Sequence, residues 1–149
     1  MRDAVALAAR SVAEGGGPFG AVIVRGGVVV GRGRNRVVES GDPTAHAEVE
    51  AIRDACRRLG SHRLDGCEVY ASCEPCPMCF GAIYWARPAA VFFAAGHAAA
   101  AAAGFDDAHI GEEFRVPPGQ RRIPFARLEM PEADEPFRLW AAKPDRREY

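Results

Sequence analysis

No charge of either sign dominates this sequence. Nineteen Lys and Arg stand against 20 Asp and Glu, for a formal net charge of -1, and the sequence pI is about 6.4. That balance gives no overall electrostatic drive toward a phosphate backbone, so a small-molecule partner is expected ahead of nucleic acid. Long hydrophobic runs are missing too. No stretch approaches the ~20 apolar residues that cross a bilayer, which argues against a membrane partner. The opening Met1–Leu7 segment has neither the apolar core nor the cleavage site of a secretory signal, and a cytoplasmic location is the expectation. Cysteines are few and odd in number: five, three of them crowded into Cys73-Glu74-Pro75-Cys76-Pro77-Met78-Cys79. This excludes a simple disulfide framework; in a reducing compartment such a cluster binds metal or does redox work. Neither an internal repeat nor a linker interrupts the chain, so residues 1–149 read as one domain, with the 48% hydrophobic and 26% charged content of an ordinary globular protein.

Apolar periodicity and punctuation give a coarse map. Residues 3–14 read as a helix with Val5, Leu7, Ala8 and Val12 available for burial, ended by Gly15-Gly16-Gly17-Pro18. Phe19 to Val24 and Val28-Val29-Val30 read as strands joined at Gly26-Gly27 in a hairpin. Residues 45–59 form a helix, with Thr44 as its cap, Val49, Ile52, Cys56 and Leu59 at helical spacing, and Gly60 as its stop. Cys67 to Ser72 is a strand, Pro77 opens a helix running through Trp85, Arg87-Pro88 closes it, and Val91-Phe92-Phe93 is the next strand. The order hairpin, helix, strand, helix, strand implies an α/β sheet with helices on its faces. Beyond it, Ala98–Ala103 fits helix or loop, Arg127–Met130 a last strand, and Pro136–Lys143 a short helix.

The chemistry concentrates in His46-Ala47-Glu48 and Pro75-Cys76-Pro77-Met78-Cys79. Cys76 and Cys79, three apart at a helix start, share a face and can chelate one ion, and the helix N-terminus favours their thiolates. His46, in the first turn of the other helix, supplies a nitrogen from across the site. Three protein ligands leave the fourth tetrahedral position of a zinc ion open to water, as in catalytic zinc. Glu48 can reach that water without ligating the metal. The pairing of H-x-E with P-C-x-x-C is the signature of zinc nucleobase deaminases. The competing reading is a closed structural site completed by Cys73, which would leave Glu48 without a task. Cys56 and Cys67 read as small core hydrophobes.

At these residues the chain resembles the cytidine-deaminase superfamily. Asp42–Glu48 and Cys73–Cys79 look like its purine-acting branch, which includes tRNA adenosine deaminases. Gly17–Val22, Gly81–Pro88, Ala103-Gly104-Phe105-Asp106-Asp107 and the terminal Glu148-Tyr149 are similar, more narrowly, to the bacterial guanine deaminases. The resemblance implies a three-layer α/β/α fold around a five-stranded mixed sheet, one zinc ion per chain, and hydrolytic deamination of guanine to xanthine and ammonia. It also implies a homodimer in which the C-terminal segment, about residues 131–149, can cross to the neighbouring subunit. By position, Glu48 and Asp107 would be catalytic, Asn35 and the Ala47 backbone N–H would bind the purine, Phe19 and Trp85 would sandwich it, and Tyr149 would join the lid.

By residue type alone, Trp85 fits a core, Asp106-Asp107 a solvated turn, and Asn35 a turn cap. His62, His97 and His109 have no partner spacing and receive no role, and Arg57-Arg58 and Arg146-Arg147 read as exposed charge. Three other readings stand beside guanine: deamination of guanosine or an ammeline-type heterocycle, deamination of tRNA adenosine, and a zinc-stabilised binding module without activity.

Overall fold

Gly26 and Gly27, with φ of 56° and 79°, make the tight turn between strand β1 (Gly20–Arg25) and strand β2 (Val28–Arg34). Positive φ at both central residues matches the twist of a hairpin. Strand β3 (Cys67–Cys73) pairs antiparallel with the other edge of β1, and β4 (Ala90–Ala95) pairs parallel with β3. The order is β2-β1-β3-β4, a mixed sheet of four strands. The computed structural model describes residues 1–149 and divides them into two compact units, Met1–Ala108 and His109–Tyr149.

In the first unit, small residues decide how the helices lie. Helix α1 (Arg2–Ala13) turns Ala4, Ala8 and Ser11 inward, and a Cβ on Gly20 would stand 2.3 Å from the Ala4 carbonyl oxygen. The backbones therefore touch, and Val5 and Val12, which the apolar pattern points toward burial, are exposed instead. After the one-turn helix α2 (Val37–Ser40), helix α3 (Ala47–Leu59) does the same on the opposite sheet face. It buries Ala47, Glu48, Ala51 and Ala55, while Ile52, Cys56 and Leu59 pack at its flank. A Cβ on Gly33 would meet the Ala47 carbonyl oxygen at 2.0 Å, and one on Gly31 the Ala51 carbonyl oxygen at 2.6 Å. Because β1 side chains alternate, Ala21 and Ile23 face α3 whereas Gly20 faces α1. Helix α4 (Pro77–Ala86) joins the α3 side through Ala86, giving the expected helix–sheet–helix layering. Cys67 lies in this core with Cys56 against it, and burial raises both thiols.

Local expectations need three corrections. Thr44 does not cap α3: its backbone N–H and hydroxyl both donate to Asp42 Oδ1, at 2.8 and 2.7 Å. The N-cap is His46, in extended backbone just before the helix and not in its first turn. The sheet has four strands and not five. Residues 127–130, the expected last strand, pair with nothing; Leu128 and Met130 are exposed, and an alternating pattern alone supplies no partner edge.

Ala98–Ala103 resolves as helix α5 (His97–Ala102), closing the elements that lie wholly within the first unit. The second unit begins within α6 (Ala108–Glu113) and contains a 3-10 turn (Pro118–Gln120) and α7 (Glu135–Ala142). None of its residues is buried in a single chain. No helix is long and apolar enough to cross a membrane.

Candidate active site

The parallel pair β3–β4 places the C-terminal ends of both strands side by side, and Glu74 N–H donates to Ala95 O at 2.8 Å where they finish. The chain that follows β3 carries Cys76 and Cys79, and the chain that follows β4 carries His97. The crevice beyond such strand ends is where α/β sheets bind ligands.

Two helix N-termini converge there. His46 is the N-cap of α3 and Cys76 the N-cap of α4, where Pro77 opens the helix and the Cys79 N–H donates to the Cys76 sulfur at 3.4 Å. His46 Nδ1 stands 3.5 Å from each sulfur, and all three donor atoms lie within 4.8 Å of one another. A tetrahedral zinc with bonds near 2.0 Å to nitrogen and 2.3 Å to sulfur separates the two donor types by about 3.5 Å, so the residues present fit that ion. Cys73 is outside the group: its sulfur faces Gly96 O at 3.8 Å. The closed four-ligand reading therefore lacks its fourth ligand. Glu48 is 6% exposed, and its Oε2 lies 3.5 Å from the Cys79 sulfur, beside the donors but separate from them.

The electrostatics suit a metal centre. Hydrogen bonding from Cys79, then from His46, pulls the Cys76 thiol down to about 4 against the opposing effect of burial. Cys79 moves the other way: its proton is held by the hydrogen bond to Cys76, with burial and the Glu48 carboxylate adding to the rise. The Cys76 contact likewise raises His46. A divalent ion bound there would displace the Cys79 proton. Burial pushes the Glu48 carboxyl up, the direction required of a group that both takes and gives protons near neutrality.

The other anticipated residues distribute unevenly. Ala47 is fully buried at the first helical position of α3, where backbone N–H groups have no partner within the helix. Asn35 is buried, and its Oδ1 accepts the Val37 N–H at 3.3 Å, so it does cap a turn, with Nδ2 as its donor end. Phe19 makes an edge-on contact with Phe105, ring centroids 5.0 Å apart, which ties the Gly104–Asp107 loop to the start of β1. Asp107 belongs to the first unit, and its charge contributes to the raised His46. Trp85, on the last turn of α4, is 62% exposed, and Tyr149 lies in the second unit, also exposed. Sequence reasoning missed Glu74 and His97. His97 Nδ1 lies 3.4 Å from Asp107 Oδ1, and its Nε2 3.6 Å from Glu74 Oε2. The available signal was its place just after β4, on the same sheet edge as the metal motif.

Comparison with known proteins agrees with this geometry. Residues 1–95 match the family described as the cytidine and deoxycytidylate deaminase zinc-binding region. Guanine deaminase of Bacillus subtilis is 54% identical over 150 aligned positions, covering 100% of this chain and 96% of that protein. The X-ray structure of guanine deaminase from B. subtilis superposes with a TM-score of 0.97, covering 99% of this chain and 95% of that one. The tRNA-specific adenosine deaminase of Aquifex aeolicus is 44% identical over 95 residues, only 64% of this chain and 63% of its own length. The matched stretch contains both metal motifs, and the chain belongs to this family of zinc-binding deaminases.

Proposed function

We propose that the chain hydrolyses guanine to xanthine and ammonia in purine catabolism, in the cytoplasm, using one zinc ion held by His46, Cys76 and Cys79. The observation that carries this reading is a three-donor site with a buried carboxylate, Glu48, beside it and no fourth protein ligand in the group. Bound there, zinc supplies Lewis acidity and a water acidified toward a pKa of ~7. Glu48 takes the proton of the attacking water and passes it to a ring nitrogen, which makes the amino-bearing carbon electrophilic. Attack gives a tetrahedral carbon; Glu48 then takes the proton of its new hydroxyl and delivers it to the amine, so ammonia leaves and the ring carbonyl forms.

Substrate orientation falls to groups around the same crevice. The Ala47 backbone N–H and Asn35 Nδ2 donate to purine acceptors, and the Asp107 carboxylate accepts the N–H donors of the guanine edge. Asp107 also serves as a second proton carrier. Phe19 supplies an aromatic wall, and Trp85 completes the sandwich. The length of the similarity supports guanine: it spans the whole chain for the guanine deaminase and stops near two thirds for the tRNA enzyme.

The exposed aromatic face of α4, with Phe80, Tyr84 and Trp85 uncovered in a single chain, supports a homodimer. The apolar side chains left exposed on α7, among them Phe137, support exchange of the C-terminal segment, with Tyr149 in the lid of the neighbouring pocket.

The test is an ammonia-release screen over guanine, guanosine, adenine, adenosine, cytosine, cytidine and ammeline, with zinc measured in parallel. Guanine should be preferred and activity should follow zinc content. Turnover confined to guanosine or ammeline would move the substrate, salt-sensitive tRNA binding with adenosine turnover would move the class, and zinc without turnover of any amino-heterocycle would refute the enzyme.

A further inference from the structure

The imidazole of His97 stands between two carboxylates, Asp107 Oδ1 on its Nδ1 side and Glu74 Oε2 on its Nε2 side, at 3.4 and 3.6 Å. The backbone leaves little choice about where this ring goes. Gly96, in extended conformation, is the N-cap of α5, and His97 is the first helical residue after β4. Glu74 is fixed on the neighbouring strand end by its N–H to Ala95 O, two residues before metal-motif Cys76. Asp107, in contrast, sits in a turn: Gly104 has φ of +91°, and Asp106 Oδ1 accepts the Ala108 N–H at 3.1 Å. Phe105, two residues away, also anchors the loop: its ring meets Phe19 and its N–H donates to Ala100 O at 3.0 Å, which sets the loop's position and leaves the Asp107 carboxylate's direction open.

We propose that His97 is a positioning residue for the deamination, bridging the rigid strand end at Glu74 to Asp107 and aiming the Asp107 carboxylate at the purine edge. The inference rests on the Asp107 role given above. Holding a carboxylate in one rotamer before substrate arrives removes an ordering cost from the transition state. Asp107 therefore depends on a residue that touches neither metal nor substrate.

The test uses zinc-loaded full-length protein carrying His97→Ala, His97→Asn, Asp107→Asn and the double variant His97→Ala/Asp107→Asn. Zinc content and melting temperature are read beside guanine kinetics. His97→Ala should lower kcat/KM about tenfold, as for one lost contact that orients a positioned carboxylate, with zinc retained. His97→Asn, whose amide reaches where Nδ1 lies, should recover most of the loss. The double variant should be no worse than Asp107→Asn alone, because His97 has nothing left to aim. A wild-type His97→Ala beside a crippled Asp107→Asn would overturn the positioning role and leave the Asp107 role intact. Additive losses in the double variant would overturn it as well, since His97 would then act elsewhere. A fully active Asp107→Asn would refute both.

Discussion

Placing one methyl group on β2, by Gly33→Ala, should empty the metal site from the far side of a helix. The new Cβ would lie 2.0 Å from the Ala47 carbonyl oxygen and 2.4 Å from the Ala51 nitrogen. Both are helix backbone, so no side chain can swing aside. Ordinary contact requires the N-terminal turn of α3 to retreat by about 1.4 Å. His46 and Glu48 flank Ala47 and travel with it. A metal site tolerates ligand shifts of only about 0.2 Å, and a 1 Å misplacement at a reacting centre costs about 100-fold. Overpacking itself costs about 1–3 kcal/mol, a melting-temperature loss of about 3–10 °C in a protein of this size. The assay measures zinc per chain by elemental analysis, guanine kcat/KM and thermal melting. Gly119→Ala is the control, since its Cβ would meet nothing within 4 Å. The variant should show sub-stoichiometric zinc and at least a hundredfold loss. Full zinc occupancy with wild-type kinetics in Gly33→Ala would refute the claim that close backbone packing of α3 on β2 sets the ligand geometry.

Glu48→Gln should keep zinc and lose between about 10²- and 10⁴-fold in kcat, the range for a positioned acid–base group. The same variant should raise the thermal stability of metal-free protein at neutral pH. Burial raises the folded carboxyl, so its stabilising contribution is complete below the ordinary carboxylate range and lost as pH rises through the folded value, a loss glutamine never suffers. Cys73→Ser should retain stoichiometric zinc and near wild-type turnover, whereas Cys76→Ser should lose both; elemental analysis with the guanine assay separates them.

How much of this was legible in the sequence depends on which residues carried the information. His46, Glu48, Cys76 and Cys79 form two short motifs at the starts of α3 and α4, with β3 between them, and the structure brings the four side chains together. The hairpin, α4 and β4 followed from Gly26-Gly27, which accept positive φ, from Pro77, whose ring suits a first helical turn, and from Arg87-Pro88, where the helix must stop; Arg87 itself adopts φ of 58°. On α1 the apolar period pointed Val5 and Val12 inward and the structure exposes them, while Ala8 is buried as expected; on α3 Ile52, Cys56 and Leu59 do pack against the core, but at the flank of Ala47, Ala51 and Ala55. The sheet takes alanines and glycines there, and close backbone approach leaves no room for branched side chains. The supposed strand at 127–130 had the right alternation and no edge to join. His97 was silent because Glu74 reaches it only through the parallel β3–β4 register, and Asp107 only once the chain turns back after α5.

X-ray absorption on the zinc-loaded resting protein tests the central claim most directly, because it counts donors around the metal. Two sulfurs near 2.3 Å with two lighter donors near 2.0 Å, one of them exchangeable when a purine analogue binds, is the predicted result. Three sulfurs and one nitrogen, unchanged by the analogue, would contradict it.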